Sequence, residues 1–442
     1  MDEVAVVTAF LRHDGEVLAC HRSEESPTYP GQWGGVSGVI EDGEDPVEAG
    51  RREASEEVGA TGLQTVRTAE PLRVEAPAYD AVFVVHPVLF DAMDRELALS
   101  AELQGAEWMP ATELLGRETV PKLFETYQRV APTVQSVAAD DEHGAATLSI
   151  RALEVLRDRA GLLAAEGESD LDELRYLGDR VREARPSMAV LRNRVNRALA
   201  AGGLANVGRP EDGPSDAEPT PADVERAAID GINRALAADA EAAMRAAGLV
   251  SGWHVLTLSR SGTVFDALAA DTVSAISIAE SRPAREGIAV AEALAGNSDT
   301  GDESGRKQSI DAPITVHTDA AIAHRLAAAD VDAVLVGADA ILPDGRVVNK
   351  TGTRGAAIAA AREGIPVYVA AATDKVTTRE QVNLESGHPS AVYDGDAPLD
   401  VANPTFDVTP ADAIAGIVTE RGVLESADVA AVAEALRAFE PT

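Results

Sequence analysis

Residues 38–60 read GVIEDGEDPVEAGRREASEEVGA, and this stretch decides the fold of the front part of the chain. Asp45 can cap a helix that has Pro46 at its first position and Glu48 three residues after the cap. Gly59 suits the left-handed conformation in which many helices end. The stretch therefore predicts one short helix with defined ends.

Three carboxylates in this predicted helix have a spacing that suits a metal site. At about 100° per residue, Glu53, Glu56 and Glu57 fall within an arc of about 100° and face one point. Such crowding is unfavourable without a cation, and carboxylates suit Mg²⁺ or Mn²⁺, which also bind substrate phosphates. We therefore predict a Mg²⁺ (or Mn²⁺) site whose carboxylates Arg52 orients. The alternative interpretation is a solvated helical face, which acidic proteins have in plenty.

The spacing of Gly38, Glu44, Arg52, Glu53, Glu56, Glu57 and Gly59 resembles the Nudix box, and the resemblance extends from about Val4 to about Val130. It implies hydrolysis of a nucleoside diphosphate linked to another group, by attack of water on a phosphorus atom bound to a divalent metal. No second motif identifies the leaving group.

The resemblance also implies roles for single residues. Glu53, Glu56 and Glu57 correspond to metal ligands, and Glu56 is a candidate general base. Arg52 and Glu57 are further candidate catalytic residues. The candidate substrate-binding residues of this front site are Gly38 and Glu44.

Four strands are predicted around the box. Residues 4–11 and 16–21 are predicted to be two strands joined through His13, Asp14 and Gly15, and further strands are predicted near 63–74 and 81–90.

Composition indicates the setting of the protein. The chain has 442 residues, 74 acidic against 38 basic, a net charge of −36, and only four lysines. Such a composition is typical of a soluble protein in a high-salt cytoplasm, where counterions screen the repulsion. The alternative, binding of a basic partner, lacks a clustered acidic tail, and direct nucleic-acid binding is disfavoured.

Several site classes are excluded or disfavoured. Cys20 is the only cysteine, so an intrachain disulfide and a cysteine zinc cluster cannot form. No apolar segment reaches membrane-spanning length, and we expect a cytoplasmic protein without membrane contact. The eight histidines are scattered and have no helical metal-ligand spacing.

The length of the chain predicts more than one hydrophobic core. Polar residues interrupt the regular spacing of apolar residues from about residue 132, where we place a domain boundary. Segments 202–221 and 296–305 are predicted loops. The predicted domains are 1–132, a linker 133–144, a helical subdomain 145–250 and a parallel-sheet domain 251–442.

In the last of these domains, four predicted strands end in polar clusters. The strands 254–258, 273–279, 314–316 and 333–336 lead into the clusters 259–263, 280–283, 318–319 and 337–339. Ligands bind at the carboxyl edge of open parallel sheets, where helix N-termini favour phosphate. The pattern predicts a binding site at this edge, with Ser261 among its residues. Each cluster taken alone would be ordinary helix capping.

These clusters, with the segments 349–353, 403–410, 185–188 and 419–422, resemble the alpha/beta/delta family of eukaryotic translation initiation factor 2B. The resemblance covers about residues 145–437. That family includes methylthioribose-1-phosphate isomerase and ribose-1,5-bisphosphate isomerase besides regulatory subunits. The implied fold is α/β: a Nudix α/β/α sandwich, then a helical subdomain, then a Rossmann-like parallel sheet. The resemblance also implies a homodimer or higher homo-oligomer.

The isomerases of the family imply residue roles at the predicted edge. Arg185, Arg282, Asn349 and Lys350 correspond to residues around the phosphosugar, and Asp339 corresponds to the catalytic acid/base; a capping role is the alternative for Asp339. The chain departs from the isomerases at Ser259, where they carry a catalytic cysteine. A thiol exchanges protons near neutral pH, but an alcohol without an adjacent base does not readily do so.

Three hypotheses follow. In the first, a metal-dependent Nudix hydrolase acting on a nucleotide-type molecule is fused to a domain that binds a phosphorylated sugar or nucleotide. In the second, the rear domain is itself an isomerase, against which Ser259 counts. In the third, the rear domain serves only assembly or regulation.

Overall fold

A computed structural model describes residues 2–140, 143–204, 218–270, 272–296 and 309–441. The predicted loops 202–221 and 296–305, and the predicted linker 133–144, lie partly outside the described residues. We call residues 2–132 the front domain, residues 133–250 the helical bundle and residues 251–441 the rear domain.

The front domain is built on an eight-stranded mixed sheet. Its central pair, β1 and β7, is parallel, whereas β2 and β4 run antiparallel to β1. The strands are β1 Asp2–His13, β2 Glu16–Arg22, β3 Trp33–Gly34, β4 Val36–Val39, β5 Gln64–Thr68, β6 Leu72–Ala76, β7 Ala81–Asp91 and β8 Leu103–Met109. The strand predicted near 63–74 is two strands, because Pro71 has no N–H for a ladder and interrupts the pairing.

Helices cover both faces of this sheet. Val7 and Ala9 pack against α1 (Pro46–Val58) on one face, while Phe10 packs against α2 (Leu123–Gln128) on the other. The period of two along β1 therefore places successive side chains in separate cores. The predicted α/β/α sandwich is confirmed.

The helical bundle has one buried core. Its helices are α3 Val134–Ala139, α4 Ala145–Glu166, α5 Leu171–Ala184, α6 Ala189–Ala201 and α7 Pro221–Leu249. Thr220 and Asp223 form a capping box at the start of α7. The segment predicted as a linker thus contains the helix α3.

Buried charges join the front domain to the bundle. Arg12 Nε donates to Asp91 Oδ1 at 2.7 Å, and its Nη1 donates to Glu154 Oε2 of α4 at 3.3 Å. Tyr127 donates its hydroxyl proton to Asp158 Oδ2 at 3.0 Å. Arg12 and Glu154 are buried, so the contact excludes water from this pair of charges, whereas Asp91 and Asp158 are half-buried.

The rear domain contains a seven-stranded sheet in the order β11-β10-β9-β12-β15-β17-β18. Only the edge strand β18 is antiparallel to its neighbour. Its strands are β9 His254–Leu258, β10 Ala275–Ala279, β11 Ile314–His317, β12 Ala333–Val336, β15 Val367–Ala370, β17 Gly416–Thr419 and β18 Gly422–Leu424. A three-stranded sheet lies beside it, formed by β13 Ala340–Ile341, β14 Val347–Lys350 and β16 Phe406–Thr409.

Separate cores cover the two faces of the seven-stranded sheet. The helices of the rear domain are α8 Gly262–Ala269, α9 Glu286–Leu294, α10 Ile322–Ala328, α11 Thr353–Glu363 and α12 Ser426–Arg437. The predicted Rossmann-like sheet is confirmed. Among the described helices, none combines the length and the apolar character that crossing a membrane requires.

Candidate functional sites

Helix α1 has the ends that its sequence predicts. Asp45 Oδ1 accepts a hydrogen bond from Val47 N at 2.8 Å, and Pro46 is the first helical residue. Gly59 ends the helix with φ 72°, the left-handed conformation that favours glycine. These caps fix the position of Glu53, Glu56 and Glu57 relative to strand β4.

Gly38 of β4 allows the close approach of Glu53. A Cβ atom at position 38 would lie 1.8 Å from Glu53 Oε1, so any other residue would displace this carboxylate. The same oxygen accepts a hydrogen bond from Arg52 Nη1 at 2.6 Å. Glu53 is thus held between the strand and the guanidinium of Arg52.

Arg52 connects the helix to the preceding loop. Its Nε and Nη2 donate to the two carboxylate oxygens of Glu44 at 3.0 and 3.1 Å, and Nη2 also donates to the carbonyl of Val39 at 3.0 Å. Such a bidentate pair has a defined geometry. Arg52 therefore fixes the loop that contains Glu44 against α1.

Glu57 is the buried carboxylate of this site, with 5% of the residue exposed. Its Oε2 accepts one long hydrogen bond, 3.4 Å, from Ser37 N. Burial raises the pKa of Glu57 to about 7, and the positive charge of Arg22 opposes this shift only in part. A cation beside Glu57 would compensate the buried negative charge.

Glu56 differs from its two neighbours. Its side chain is 63% exposed, and its Oε2 lies 3.4 Å from Arg52 Nη1. Across residues 2–140 and the other described ranges, no group of three His, Cys, Asp or Glu side chains is close enough to hold a metal. The ligand set Glu53, Glu56 and Glu57 stays a prediction. Glu53 and Glu57 contact adjacent residues of β4, and their oxygen atoms suit a hard cation.

The candidate rear site lies at the carboxyl edge of the seven-stranded sheet. Ser259 follows β9 in a left-handed conformation, φ 63°, and is 7% exposed. Its backbone N–H donates to Ser281 Oγ at 2.6 Å, and its hydroxyl donates to Glu286 Oε2 at 3.0 Å. A non-glycine residue in this conformation is strained, and such strain is common at functional sites.

Asp319 fixes the turn after the neighbouring strand β10. Its two carboxylate oxygens accept hydrogen bonds from Ser281 N at 2.8 Å and Arg282 N at 2.7 Å. The polar clusters that follow β9, β10 and β11 are therefore connected by hydrogen bonds. Arg282 itself is exposed at this edge.

Lys350 and Asn349 approach the same edge from β14. Lys350 Nζ donates to Glu286 Oε1 at 2.9 Å. Asn349 is buried, and its side-chain amide donates to Thr353 Oγ1 at 3.0 Å. The structure thus places Ser259, Glu286 and Lys350 in one hydrogen-bonded series.

The remaining predicted residues occupy different positions. Asp339 follows β12, and its N–H donates to the carbonyl of Val348 at 2.9 Å. Ser261 caps α8 by accepting from Val264 N, and a Cβ atom at Gly337 would lie 2.5 Å from Ser261 Oγ. Arg185 ends α5 in the bundle.

The guanidinium of Arg185 donates to the carbonyl groups of Val137 and Asp140. These two hydrogen bonds of Arg185 therefore stabilise the bundle. Its role at a phosphosugar stays a prediction.

Sequence reasoning missed Glu286. The residue stands four positions after Arg282, at the first position of α9. The available signal was a carboxylate at a helix N-terminus directly after one of the polar clusters, but spacing alone does not show that it reaches Ser259.

Comparisons with known proteins agree with the two halves of this fold. Residues 1–130 match the NUDIX domain model, and residues 141–426 match the model of the Initiation factor 2 subunit family. Ribose 1,5-bisphosphate isomerase of Haloferax volcanii is 32% identical over 318 residues, which are 66% of this chain and 89% of that protein.

Two further relatives match different shares of the chain. Methylthioribose-1-phosphate isomerase of Thermosynechococcus vestitus is 39% identical over 128 residues, which are 27% of this chain and 36% of that protein. The crystal structure of translation initiation factor eIF-2B from Pyrococcus horikoshii OT3 has a TM-score of 0.51 and 25% identity, and the match covers 66% and 94% of the two chains. The chain belongs to the Initiation factor 2 subunit family and has a NUDIX domain in residues 1–130.

Proposed function

We propose that the front domain hydrolyses a nucleoside diphosphate derivative with Mg²⁺, or Mn²⁺, as cofactor. The observation that carries this proposal is the buried Glu57 carboxylate, which lies beside Glu53 on the helix of a NUDIX domain. NUDIX domains generally use divalent metal ions, and a buried carboxylate whose pKa is about 7 binds a cation in place of a proton.

The residues of α1 have distinct parts in this proposal. A bound divalent cation neutralises the diphosphate and lowers the pKa of a coordinated water. Glu53 and Glu57 would hold the cation, and Arg52 with Glu44 keeps the loop and helix in register. Glu56 is the proposed acceptor of the proton from the attacking water, because its carboxylate is exposed.

The test is a panel of nucleotide-linked compounds assayed with Mg²⁺ in molar KCl. We expect Glu57→Gln to lower the turnover of the substrate at least about a hundredfold, because the amide cannot bind the cation as a carboxylate does. Glu48→Gln is the matched control, since Glu48 lies exposed in the first turn of the same helix. Equal turnover in wild type and Glu57→Gln would refute the proposal.

For the rear domain we propose binding of a phosphorylated sugar or nucleotide. Lys350, Asn349 and Arg282 supply positive charge and amide donors at the carboxyl edge of the sheet. Calorimetry with ribose 1,5-bisphosphate tests this proposal. Lys350→Met should weaken binding at least about tenfold, because an ammonium–phosphate contact contributes more than about 1.4 kcal/mol.

The alternative functions of the rear domain are an isomerase of ribose-1,5-bisphosphate type and a non-catalytic regulatory or assembly subunit. The hydrogen bond from Ser259 to Glu286 favours the isomerase, because it supplies the adjacent base that an alcohol needs.

We further propose a cytoplasmic protein of a high-salt cell, present as a homodimer or higher homo-oligomer, without nucleic-acid or membrane partners. The net charge of −36 supports this setting. Light scattering and thermal unfolding at several KCl concentrations test both parts. Full stability in dilute buffer would contradict the high-salt setting.

A further inference from the structure

The serine that stands in place of the family's catalytic cysteine has a carboxylate beside it. Ser259 Oγ donates to Glu286 Oε2 at 3.0 Å, and the backbone N–H of Ser259 is held by Ser281 Oγ. The hydroxyl is therefore fixed in direction, with its proton on the line to Glu286. This is the geometry of a hydroxyl activated by an adjacent base.

The second oxygen of Glu286 has a positively charged partner. Lys350 Nζ donates to Glu286 Oε1 at 2.9 Å, and both side chains are mostly buried. The carboxylate thus lies between a hydroxyl and an ammonium group. The Lys350 ammonium balances the negative charge of Glu286, and Oε2 stays oriented towards Ser259.

We propose that Ser259 and Glu286 form a proton relay which replaces the thiol of the related isomerases. In this assignment Ser259 contacts the sugar, and Glu286 acts through Ser259 as a positioning and proton-accepting residue. The substrate class is a five-carbon sugar 1-phosphate. The product is its isomer, the 2-ketose that keeps the phosphate at C1. The proposal rests on the proposed binding of a phosphorylated sugar by the rear domain.

The proton balance of the reaction closes without a co-reactant. Asp339 gives a proton to the ring oxygen as the C1–O bond breaks. Ser259 Oγ takes the C2 proton while its own proton passes to Glu286 Oε2, and the C2–H electron pair forms the C1=C2 double bond. The relay then returns a proton to C1, and Asp339 takes the proton of the C2 hydroxyl as the ketone forms.

The experiment uses the full-length protein in molar KCl with ribose 1,5-bisphosphate. NMR follows the ketose product, and calorimetry measures binding separately. We expect turnover by wild type, and in Glu286→Gln a kcat lower by at least about a hundredfold with KM within about threefold. Glu292→Gln is the matched control, because Glu292 is an exposed carboxylate on the same helix.

A thiol at position 259 distinguishes a relay from a structural contact. In a Ser259→Cys background, adding Glu286→Gln should lower turnover by less than about tenfold relative to Ser259→Cys alone, since a thiol with a pKa of about 8.5 exchanges protons without help. An equal loss in both backgrounds would show that Glu286 only stabilises the fold and would overturn the relay. Binding without product in wild type would also overturn the relay. Absence of binding would instead refute the proposed ligand class of the rear domain.

Discussion

The front and rear sites differ in how many parts of the chain build them. In the front site, Glu53, Glu56 and Glu57 belong to one helix, and one strand, β4, lies against it. In the rear site, Ser259 and Glu286 are 27 residues apart, and Glu286 and Lys350 are 64 apart. A site on one helix is determined by local spacing, whereas a site at a sheet edge is determined by the order of the strands.

The front and rear domains both form buried ion pairs with the helical bundle. Buried ion pairs connect the front domain to the bundle through Arg12, and Arg194 connects the bundle to Asp374 of the rear domain at 3.2 Å. The two sites therefore lie in parts of the molecule that are joined by desolvated charges. We expect the front and rear domains to unfold together, although their sites are built from separate elements.

The largest expected effect is that of Arg12→Met. Removing this guanidinium takes from the buried Glu154 its partner Arg12, and Asp91 loses one of its cationic partners. Breaking a buried ion pair lowers the free energy of unfolding by about 3–5 kcal/mol. Chemical denaturation measures the free energy of unfolding. Arg73→Met is the control, because Arg73 and Glu3 form a pair at the exposed surface.

Unfolding of the front domain by itself would contradict the shared stability of the front and rear domains. If the front domain unfolds first and alone in Arg12→Met, the fluorescence of Trp33 and that of Trp253 will change in separate transitions, and the halves do not share stability. A loss equal to that of the Arg73 control would show that the buried pair contributes nothing.

Gly38→Ala should have the next largest effect. The new Cβ atom would lie 1.8 Å from Glu53 Oε1 and force this carboxylate away from β4, so we expect a loss of hydrolysis of about a hundredfold. Gly116→Ala is the control, since no atom lies within 4 Å of a Cβ there. Ligand binding at the rear site should be the same in both variants. Unchanged hydrolysis in Gly38→Ala would show that Glu53 is not needed in this position.

The sequence predicted the front helix and its caps because Asp45, Pro46 and Gly59 act on their own neighbours. It also predicted the parallel sheet of the rear domain, where β9 and β12 have the expected bounds. It did not reveal the contact of Glu286 with Ser259, because strand order and helix direction determine that distance. The sequence also did not predict that Glu56 is exposed. Helical spacing places the three carboxylates within an arc of about 100°, but it does not determine which of them faces β4.

Asp319→Asn should affect only the rear site, and less strongly. An asparagine can accept a hydrogen bond through one oxygen only, so either Ser281 N or Arg282 N loses its partner. We expect binding of ribose 1,5-bisphosphate to weaken about tenfold, or about 1.4 kcal/mol. Asp332→Asn is the matched control, because Asp332 accepts from His254 N at the opposite end of the sheet. A similar loss in both variants would indicate a general effect on the sheet.

The smallest expected effect is a change in pH dependence at the contact between the front domain and the bundle. Burial alone would raise the pKa of Asp91, but Arg12 and then Arg151 outweigh it, and the pKa is lowered from its ordinary value of 3.8. The fold therefore favours ionised Asp91, which contributes stability above about pH 4 and loses that contribution as the pH falls.

Asp91→Asn should be less stable than wild type at pH 7, and the difference should shrink as the pH falls below about 4. Burial raises the pKa of Glu154, so the contribution of this residue to stability changes with pH in the opposite direction. That contribution is present in both proteins, and the difference between their free energies of unfolding therefore isolates Asp91. A difference that stays constant from pH 7 to pH 3 in urea titrations would show that Asp91 is not stabilised in its charged form.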